Sequence, residues 1–225
     1  MTGRTAPMHV YAPAQFDDIL HRMLDFFCGG LEFPVVFHPV DTNCHKVVFE
    51  DKCVSVKSLP LEHRVPCCGY LFEEKPTLPH IRRDMVDFHQ IPVWQLNNIK
   101  NGEDGVAPDG RVVPQAELVS PPDPVRAYAY CSDTRYMPSL HKMIMGVNLL
   151  YHESTYDSTY QELANKYFHS TAAEAARVAR DANAGHLLIG HYSARYDDES
   201  VLLSEAQAVF PYVTLAQEGL VVDVE

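Results

Sequence analysis

The last hundred residues alternate between short apolar runs and a segment of helical periodicity, and this alternation most strongly constrains the fold. The segment 171–185 predicts a helix, because Thr171 can cap its N-terminus, Glu174 can complete a capping box and Gly185 can end it. The apolar runs predict strands at 126–131, 147–151 and 186–190. Strands that alternate with helices are typical of the α/β class.

The first part of the chain predicts more strands than helices. A helix is expected between the strand at 8–12 and Gly29, because apolar residues recur there at helical spacing. Further strands are predicted at 33–40, 45–51, 53–63 and 67–74. Residues 75–125 are rich in proline and polar residues, which predicts an inserted arm or a series of loops with one short helix near 80–88.

Residues that can bind metals or protons follow three of the predicted strands. Asp133 comes after 126–131, His152 and Glu153 after 147–151, and His191 after 186–190. His63 ends the 53–63 segment and is a fourth candidate. A lone histidine at such a position is more often an ordinary core residue. Four such endings favour a shared site, since the carboxyl ends of strands meet at one edge of an α/β sheet.

The residue types at these strand ends indicate what the site would bind. Histidine nitrogen and carboxylate oxygen without cysteine suit zinc, manganese or iron in a catalytic centre. Asp133 has two oxygens and can bridge two ions, which would clamp the attacking and leaving oxygens of a phosphodiester. The stretch HESTY at 152–156 is not HExxH, so a single-zinc protease helix is not supported.

His169 lies just before the predicted capping box, at the start of a helix. A helix N-terminus favours an anion such as phosphate, and a histidine there can give a proton to a leaving oxygen. The alternative is that His169 only assists the local cap.

Charge and cysteine content exclude some classes of protein. The net charge of −12 and the pI near 5.4 argue against nonspecific nucleic-acid binding through bulk charge, although a nuclease with a local basic patch remains open. The sequence contains no run of about 18 apolar residues, so a membrane span is not predicted. Residues 1–16 lack the apolar core of a signal peptide, so a cytoplasmic protein is expected. The six cysteines form no CxxC pair and are expected to be reduced, buried thiols.

Taken together, six stretches resemble the ribonuclease Z family, the zinc-dependent tRNA 3′-processing endonucleases of the metallo-β-lactamase superfamily. In the family's order they are LPLEHRVPCCGYLFEE, NGEDGVAPDGRVV, YCSDTRY, LLYHESTY, FHSTAAEAARVARDANAGHLLIGHYSARY and LLSEAQAVFP. The resemblance implies a metallo-β-lactamase-like αβ/βα sandwich over 1–225, as a single incomplete domain with an arm at about 75–105 that grips the tRNA elbow. It also implies removal of 3′ trailers from precursor tRNA by metal-activated water.

The resemblance assigns roles to individual residues. It implies two zinc ions per complete site, with manganese possible, and precursor tRNA and a second copy of the chain as partners, with no membrane. Glu153 and His152 match the family's HEAT motif, with Ser154 in place of the alanine, and His169 matches the histidine that protonates the leaving oxygen. The implied metal ligands are His63, Asp133 and His191, and the implied substrate or phosphate contacts are Ser170, Thr171, Ser193, Arg195 and Tyr196.

The family's HxHxDH signature does not occur in this sequence. We therefore expect the N-terminal strands and the first metal motif of the family to be absent from this chain. Two alternatives to an active nuclease stay open. One is a truncated, catalytically impaired chain that binds tRNA or pairs with a partner, and the other is a different hydrolase of the same superfamily.

Overall fold

The structure is a computed structural model that describes residues 3–224. Residues 1, 2 and 225, which the predicted domain includes, lie outside the described residues. The chain forms two compact units, one comprising residues up to Glu73 and from Arg126 onward, and the other comprising Glu74–Val125. The segment at about 75–105 lies within the second unit, and the prediction of a single incomplete domain with an inserted arm stays a prediction.

Strands predominate in the first part of the chain, and strands and helices alternate from Ala127 onward. The strands are β1 (Met8–Pro13), β2 (Val35–Val40), β3 (Val47–Glu50), β4 (Val54–Pro60), β5 (Cys68–Glu74), β6 (His80–Ile81), β7 (Gly105–Val106), β8 (Val112–Val113), β9 (Val119–Ser120), β10 (Ala127–Cys131), β11 (Leu149–Glu153), β12 (His186–Gly190) and β13 (Val213–Leu215). The helices are α1 (Phe16–Cys28), α2 (Arg83–Phe88), α3 (Leu96–Lys100), α4 (Gln115–Leu118), α5 (Gln161–Tyr167), α6 (Ala172–Asp181) and α7 (Ser200–Gln207). Short 3₁₀ helices lie at Val93–Gln95, Leu140–Met143 and Ser158–Tyr160.

The main sheet has the strand order β13-β12-β11-β10-β5-β4-β3. Strands β10 to β13 are parallel, whereas β5 runs antiparallel to β10. The three apolar runs of the C-terminal part are therefore adjacent parallel strands, and their carboxyl ends share one edge. Apolar side chains of β11 and β12 and alanines of α6 form the core beside this edge, among them Leu150, Leu187, Ile189, Ala175, Ala176 and Ala179.

The start of α6 confirms the predicted capping box. The Thr171 side chain accepts a hydrogen bond from the Glu174 backbone N–H, and the Glu174 carboxylate accepts one from the Thr171 N–H at 2.9 Å. The predicted end is wrong, because the left-handed residue after the helix is Asn183, with φ of 51°. Gly185 serves a close approach instead, since a Cβ there would lie 2.7 Å from the Asn148 carbonyl oxygen.

Two further expectations need correction. The segment 53–63 is not strand throughout, because β4 ends at Pro60 and His63 lies in the loop that follows. All six cysteines are free thiols, but Cys28, Cys44 and Cys53 are exposed rather than buried.

The second unit has its own core, and it contains more strands and helices than the predicted loops with one short helix. Strands β6 and β9 pair antiparallel, and β7 and β8 form a second antiparallel pair. The helix predicted near 80–88 is α2, while α3 and α4 are too short to carry a helical pattern in the sequence. The core consists of Val86, Ile91, Ile99, Ala107, Val113 and Leu118.

Helix α1 leaves its apolar residues open to solvent. None of its side chains is buried, and Phe26 and Phe27 are 81% and 74% exposed. Across residues 3–224, no helix is both long enough and apolar enough to cross a membrane.

Candidate metal centre

Three of the predicted residues meet at the carboxyl edge of the parallel strands. Asp133 follows β10, His191 follows β12, and His169 lies between α5 and α6. One ligand atom from each lies within 4.8 Å of those of the other two, and Asp133 Oδ1 is 3.2 Å from His191 Nε2. Two imidazoles and a carboxylate are donors that zinc and manganese accept in catalytic sites. The three residues form a possible site for a metal ion.

The backbone takes up a strained conformation at this site. Asp133, Phe168 and His191 all have positive φ, at 29°, 61° and 61°. For residues other than glycine this conformation costs on the order of 1–3 kcal/mol and persists only where the surrounding structure enforces it. The strain places Asp133 and His191 beyond the ends of their strands, and Phe168 immediately before His169.

Glu153 is the buried anchor of the site. Its Oε1 accepts hydrogen bonds from the Thr134 N–H at 2.9 Å and from His169 Nδ1 at 2.8 Å. Its Oε2 accepts from the Thr155 N–H at 3.1 Å and from the Thr155 hydroxyl at 2.7 Å. Burial raises the pKa of Glu153, but the hydrogen bonds from His169 and Thr155 outweigh this effect and hold the pKa below its usual value. Glu153 is therefore an ionised carboxylate.

Glu153 and Thr155 fix both site histidines. The hydrogen bond to Glu153 raises the pKa of His169, burial opposes this, and the charges of Glu153 and Asp133 add to the rise. Since Nδ1 of His169 faces Glu153, its Nε2 is the nitrogen left for the site. Thr155 gives its only hydroxyl proton to Glu153, so Thr155 Oγ1 accepts from His191 Nδ1 at 2.9 Å. The Nε2 lone pair of His191 then faces Asp133, an arrangement that a divalent cation would satisfy.

His63 and His152 lie beside the group of three and not within it. His63 Nδ1 is 2.9 Å from the Phe168 carbonyl oxygen, and its ring centroid is 5.0 Å from that of His169. His152 is fully buried, donates from Nδ1 to the Glu153 carbonyl at 2.7 Å, and has no partner for Nε2. Burial lowers the pKa of His152. His152 can therefore reach the site only through its neighbours, and the metal-ligand role of His63 stays a prediction.

The residues predicted to contact phosphate fall into two groups. Ser170 and Thr171 are fully buried, with the Ser170 hydroxyl donating to the Thr134 carbonyl at 2.8 Å and Thr171 capping α6. The other three lie in the loop after β12. Arg195 is exposed and donates from Nε to Ser193 Oγ at 3.0 Å, whereas the Tyr196 hydroxyl donates to Asp157 Oδ2 at 3.0 Å. Only this second group offers an exposed cation.

Sequence reasoning missed Thr155, and it missed the hydrogen bond that the Thr134 backbone N–H donates to Glu153. Thr155 stands two residues after Glu153 in HESTY, so its place in the motif was a usable signal. Thr134 acts through its backbone N–H, which no sequence pattern reveals.

Solved structures place the fold in the metallo-β-lactamase class. The human tRNase Z short form superposes with a TM-score of 0.61 at 20% identity, covering 97% of this chain and 68% of that one. The metallo-beta-lactamase fold protein YhfI from Bacillus subtilis gives 0.58 at 17% identity, covering 95% and 64%. The α/β prediction is confirmed.

Curated relatives are more specific. Ribonuclease Z from Bacteroides fragilis is 50% identical over 220 residues, which is 98% of this chain and 72% of that protein. Ribonuclease Z from Bacteroides thetaiotaomicron is 47% identical over 224 residues, 100% of this chain and 71% of that protein. No protein-family model matches the chain. The chain belongs to the ribonuclease Z family, as the sequence motifs predicted.

Proposed function

We propose that this chain is a metal-dependent endoribonuclease that removes 3′ trailers from precursor tRNA in the cytoplasm. The observation that carries the proposal is the meeting of Asp133, His169 and His191 at one sheet edge in a chain 50% identical to a ribonuclease Z. The net negative charge of the chain repels RNA, so a nuclease of this composition needs a local site, such as a bound metal ion, that attracts the phosphate.

Asp133 and His191 would hold a zinc or manganese ion, with His63 as the further ligand that the family resemblance assigns. The facing lone pairs of Asp133 and His191 fit such an ion. When bound, the ion would polarise the phosphodiester and lower the pKa of a water molecule, and a second ion would do so more strongly.

His169 would carry the proton for the leaving oxygen. Glu153 fixes its Nδ1 at 2.8 Å, so Nε2 is directed to the site and can hold and release a proton there. In this role His169 would not bind the ion, which leaves Asp133 and His191 of the group of three as its ligands. His152 donates to the Glu153 backbone and would keep Glu153 in place, as a positioning residue.

Arg195 and Ser193 would bind a phosphate of the RNA, because Arg195 is exposed and its Nε is held by the Ser193 hydroxyl. Tyr196 would keep this loop against Asp157. Ser170 and Thr171 would act by shaping the N-terminus of α6, since both side chains are buried. The second unit would supply the arm that meets the tRNA elbow.

A second candidate function is that of a partner module that pairs with another copy of the chain. The exposed apolar side of α1 favours this partner role, since Phe26 and Phe27 are exposed to solvent and no residue of the helix is buried. A homodimer that covers α1 is compatible with the nuclease proposal. A chain that pairs but does not cleave RNA would be a partner module instead of a nuclease.

The test is cleavage of a precursor-tRNA transcript with a 3′ trailer, with zinc or manganese supplied. We expect a product that ends in a 3′-hydroxyl, and we expect Asp133→Asn to abolish it without loss of fold. Asp181→Asn, at the exposed C-terminal end of α6, is the matched control and should cleave normally. Binding without cleavage would favour the partner module. Turnover of small phosphodiesters without tRNA cleavage would favour another hydrolase of the superfamily.

A further inference from the structure

The guanidinium of Arg195 lies against two tyrosine rings. Its Cζ is 4.7 Å from the centroid of Tyr160 and 5.3 Å from that of Tyr156. Cations at such distances are attracted to the ring face. One aromatic surface therefore supports the exposed arginine of the loop after β12.

These tyrosines connect the arginine to the metal centre. The ring centroid of Tyr156 is 6.3 Å from that of His169, and Tyr160 meets Tyr196 edge-on at 6.4 Å. Tyr196 in turn accepts a hydrogen bond from the Asp157 N–H at 2.8 Å. The segment 156–160 and the loop after β12 are thus joined by several contacts, of which only Tyr160 and Tyr156 touch the cation.

The Arg195 side chain is fixed by its neighbours while its positive charge stays unpaired among the described residues. Its Nε donates to Ser193 Oγ, and within residues 3–224 no carboxylate forms an ion pair with it. The two Nη groups stay available for an anion. A planar guanidinium that is already immobilised loses less side-chain entropy when it binds a phosphate.

We propose that Tyr160 is a positioning residue, whose ring holds the Arg195 guanidinium in the orientation in which it meets a phosphate of the RNA. This inference rests on the proposed function for its ligand, while the stacking itself is a property of the free protein. Tyr156 provides the inner part of the same surface, but it is buried and borders the metal centre, so Tyr160 is the residue to change.

The first test measures the affinity for a precursor-tRNA transcript at fixed salt. Tyr160→Leu removes the ring face, and we expect binding about threefold to tenfold weaker, the range that one cation–π contact supplies. Tyr160→Phe keeps the face and should bind as the unchanged protein does. Tyr167→Leu is the matched control, because Tyr167 is 38% exposed against 37% for Tyr160 and lies under Lys166 instead of Arg195.

A double-mutant cycle with Arg195→Ala separates positioning from an independent contact. If Tyr160 acts through Arg195, Tyr160→Leu costs nothing further once Arg195 is alanine. An equal loss in both backgrounds would overturn the inference.

The second test needs no RNA. The Nε–H of Arg195, identified by its loss in Arg195→Lys, is followed by ¹⁵N relaxation in the free protein. We expect an ordered signal that becomes mobile in Tyr160→Leu and stays ordered in Tyr160→Phe and Tyr167→Leu. An Arg195 equally ordered in Tyr160→Leu would overturn the inference, whereas an ordered, Tyr160-dependent Arg195 in a protein that binds no precursor tRNA would overturn only the proposed function.

Discussion

The hydroxyl of Thr155 lies 2.9 Å from Nδ1 of His191 and joins that histidine to the buried carboxylate of Glu153, 2.7 Å away on its other side. The Thr155 side chain thereby sets the tautomer of His191 and stabilises the buried carboxylate of Glu153 by a hydrogen bond. Such outer partners orient the ligands of a metal centre, and their loss weakens metal binding or activity.

Thr155→Val keeps the shape of the side chain and removes the hydroxyl, with its hydrogen bonds to Glu153, His191 and His169. We expect zinc affinity to fall about 10–100-fold, as is typical for loss of an outer partner. Competition with a chromogenic chelator measures it. Thr155→Ser keeps the hydroxyl and should bind zinc almost normally, and equal affinity in the valine and serine variants would refute the role of Thr155.

Glu153→Gln is expected to lower the free energy of unfolding by about 3 kcal/mol at neutral pH, since it breaks a buried, hydrogen-bonded pair with His169. The folded-state pKa of Glu153 is lowered from 4.5, so its contribution is present above that value and is lost as the pH falls through the folded-state pKa. The pKa of His169 is raised from 6.5, so its contribution is present below 6.5 and is lost as the pH rises through the folded-state pKa. Urea unfolding in EDTA measures the free energy of unfolding of the unchanged chain and of Glu153→Gln. The difference between the two values should become smaller in acid and in mild alkali. A difference independent of pH would contradict the pairing.

The number of bound ions is the next prediction. Among the described residues, one group of three histidine or acidic side chains, Asp133, His169 and His191, has ligand atoms close enough together to hold an ion. The proposed proton on His169 leaves two of them as ligands, so we expect no more than one tightly bound zinc per chain by elemental analysis. Asp133→Asn should reduce it to a trace, while Asp109→Asn should not change it. Two ions per chain would mean that further ligands complete the centre.

Local signals carried the predictable part of this fold. The apolar runs of β10, β11 and β12 and the Thr171 cap depend on neighbouring residues alone, and the sequence predicts all of them. The predicted bounds of 147–151 are wrong for β11, because the strand continues to Glu153 and includes His152 and Glu153. The end of α6 was missed because Gly185 is required by its close approach to Asn148, the residue before β11, which is distant in sequence. The candidate site follows the same division. Asp133, Glu153 and His191 stand at strand ends and His169 precedes the predicted cap, whereas the links through Thr155 exist only once β11 and β12 are paired.

Thiol reactivity should divide the cysteines by burial. Burial raises the pKa of Cys131 to about 12, whereas Cys28, Cys44 and Cys53 are exposed. At pH 8 we expect the exposed thiols to react with an aromatic disulfide reagent in the native protein, Cys44 more slowly than the other two because its hydrogen bond to Asp41 raises the pKa of its thiol, and Cys131 to react only after denaturation. Peptide mass spectrometry assigns the labels, and early labelling of Cys131 would show that the sheet opens under native conditions.

The exposed phenylalanines of α1 lead to the last prediction, which concerns the proposed homodimer. Replacing both Phe26 and Phe27 by serine removes apolar surface that the described chain does not bury, so the free energy of unfolding of the monomer should change by less than about 0.5 kcal/mol. The same change should weaken self-association, because large exposed apolar areas drive it. Sedimentation velocity over a range of concentrations measures the effect. Phe210→Ser is the contrasting variant, since Phe210 lies in the core and its loss should destabilise the fold. If the double serine variant associates as strongly as the unchanged chain, the dimer uses another surface.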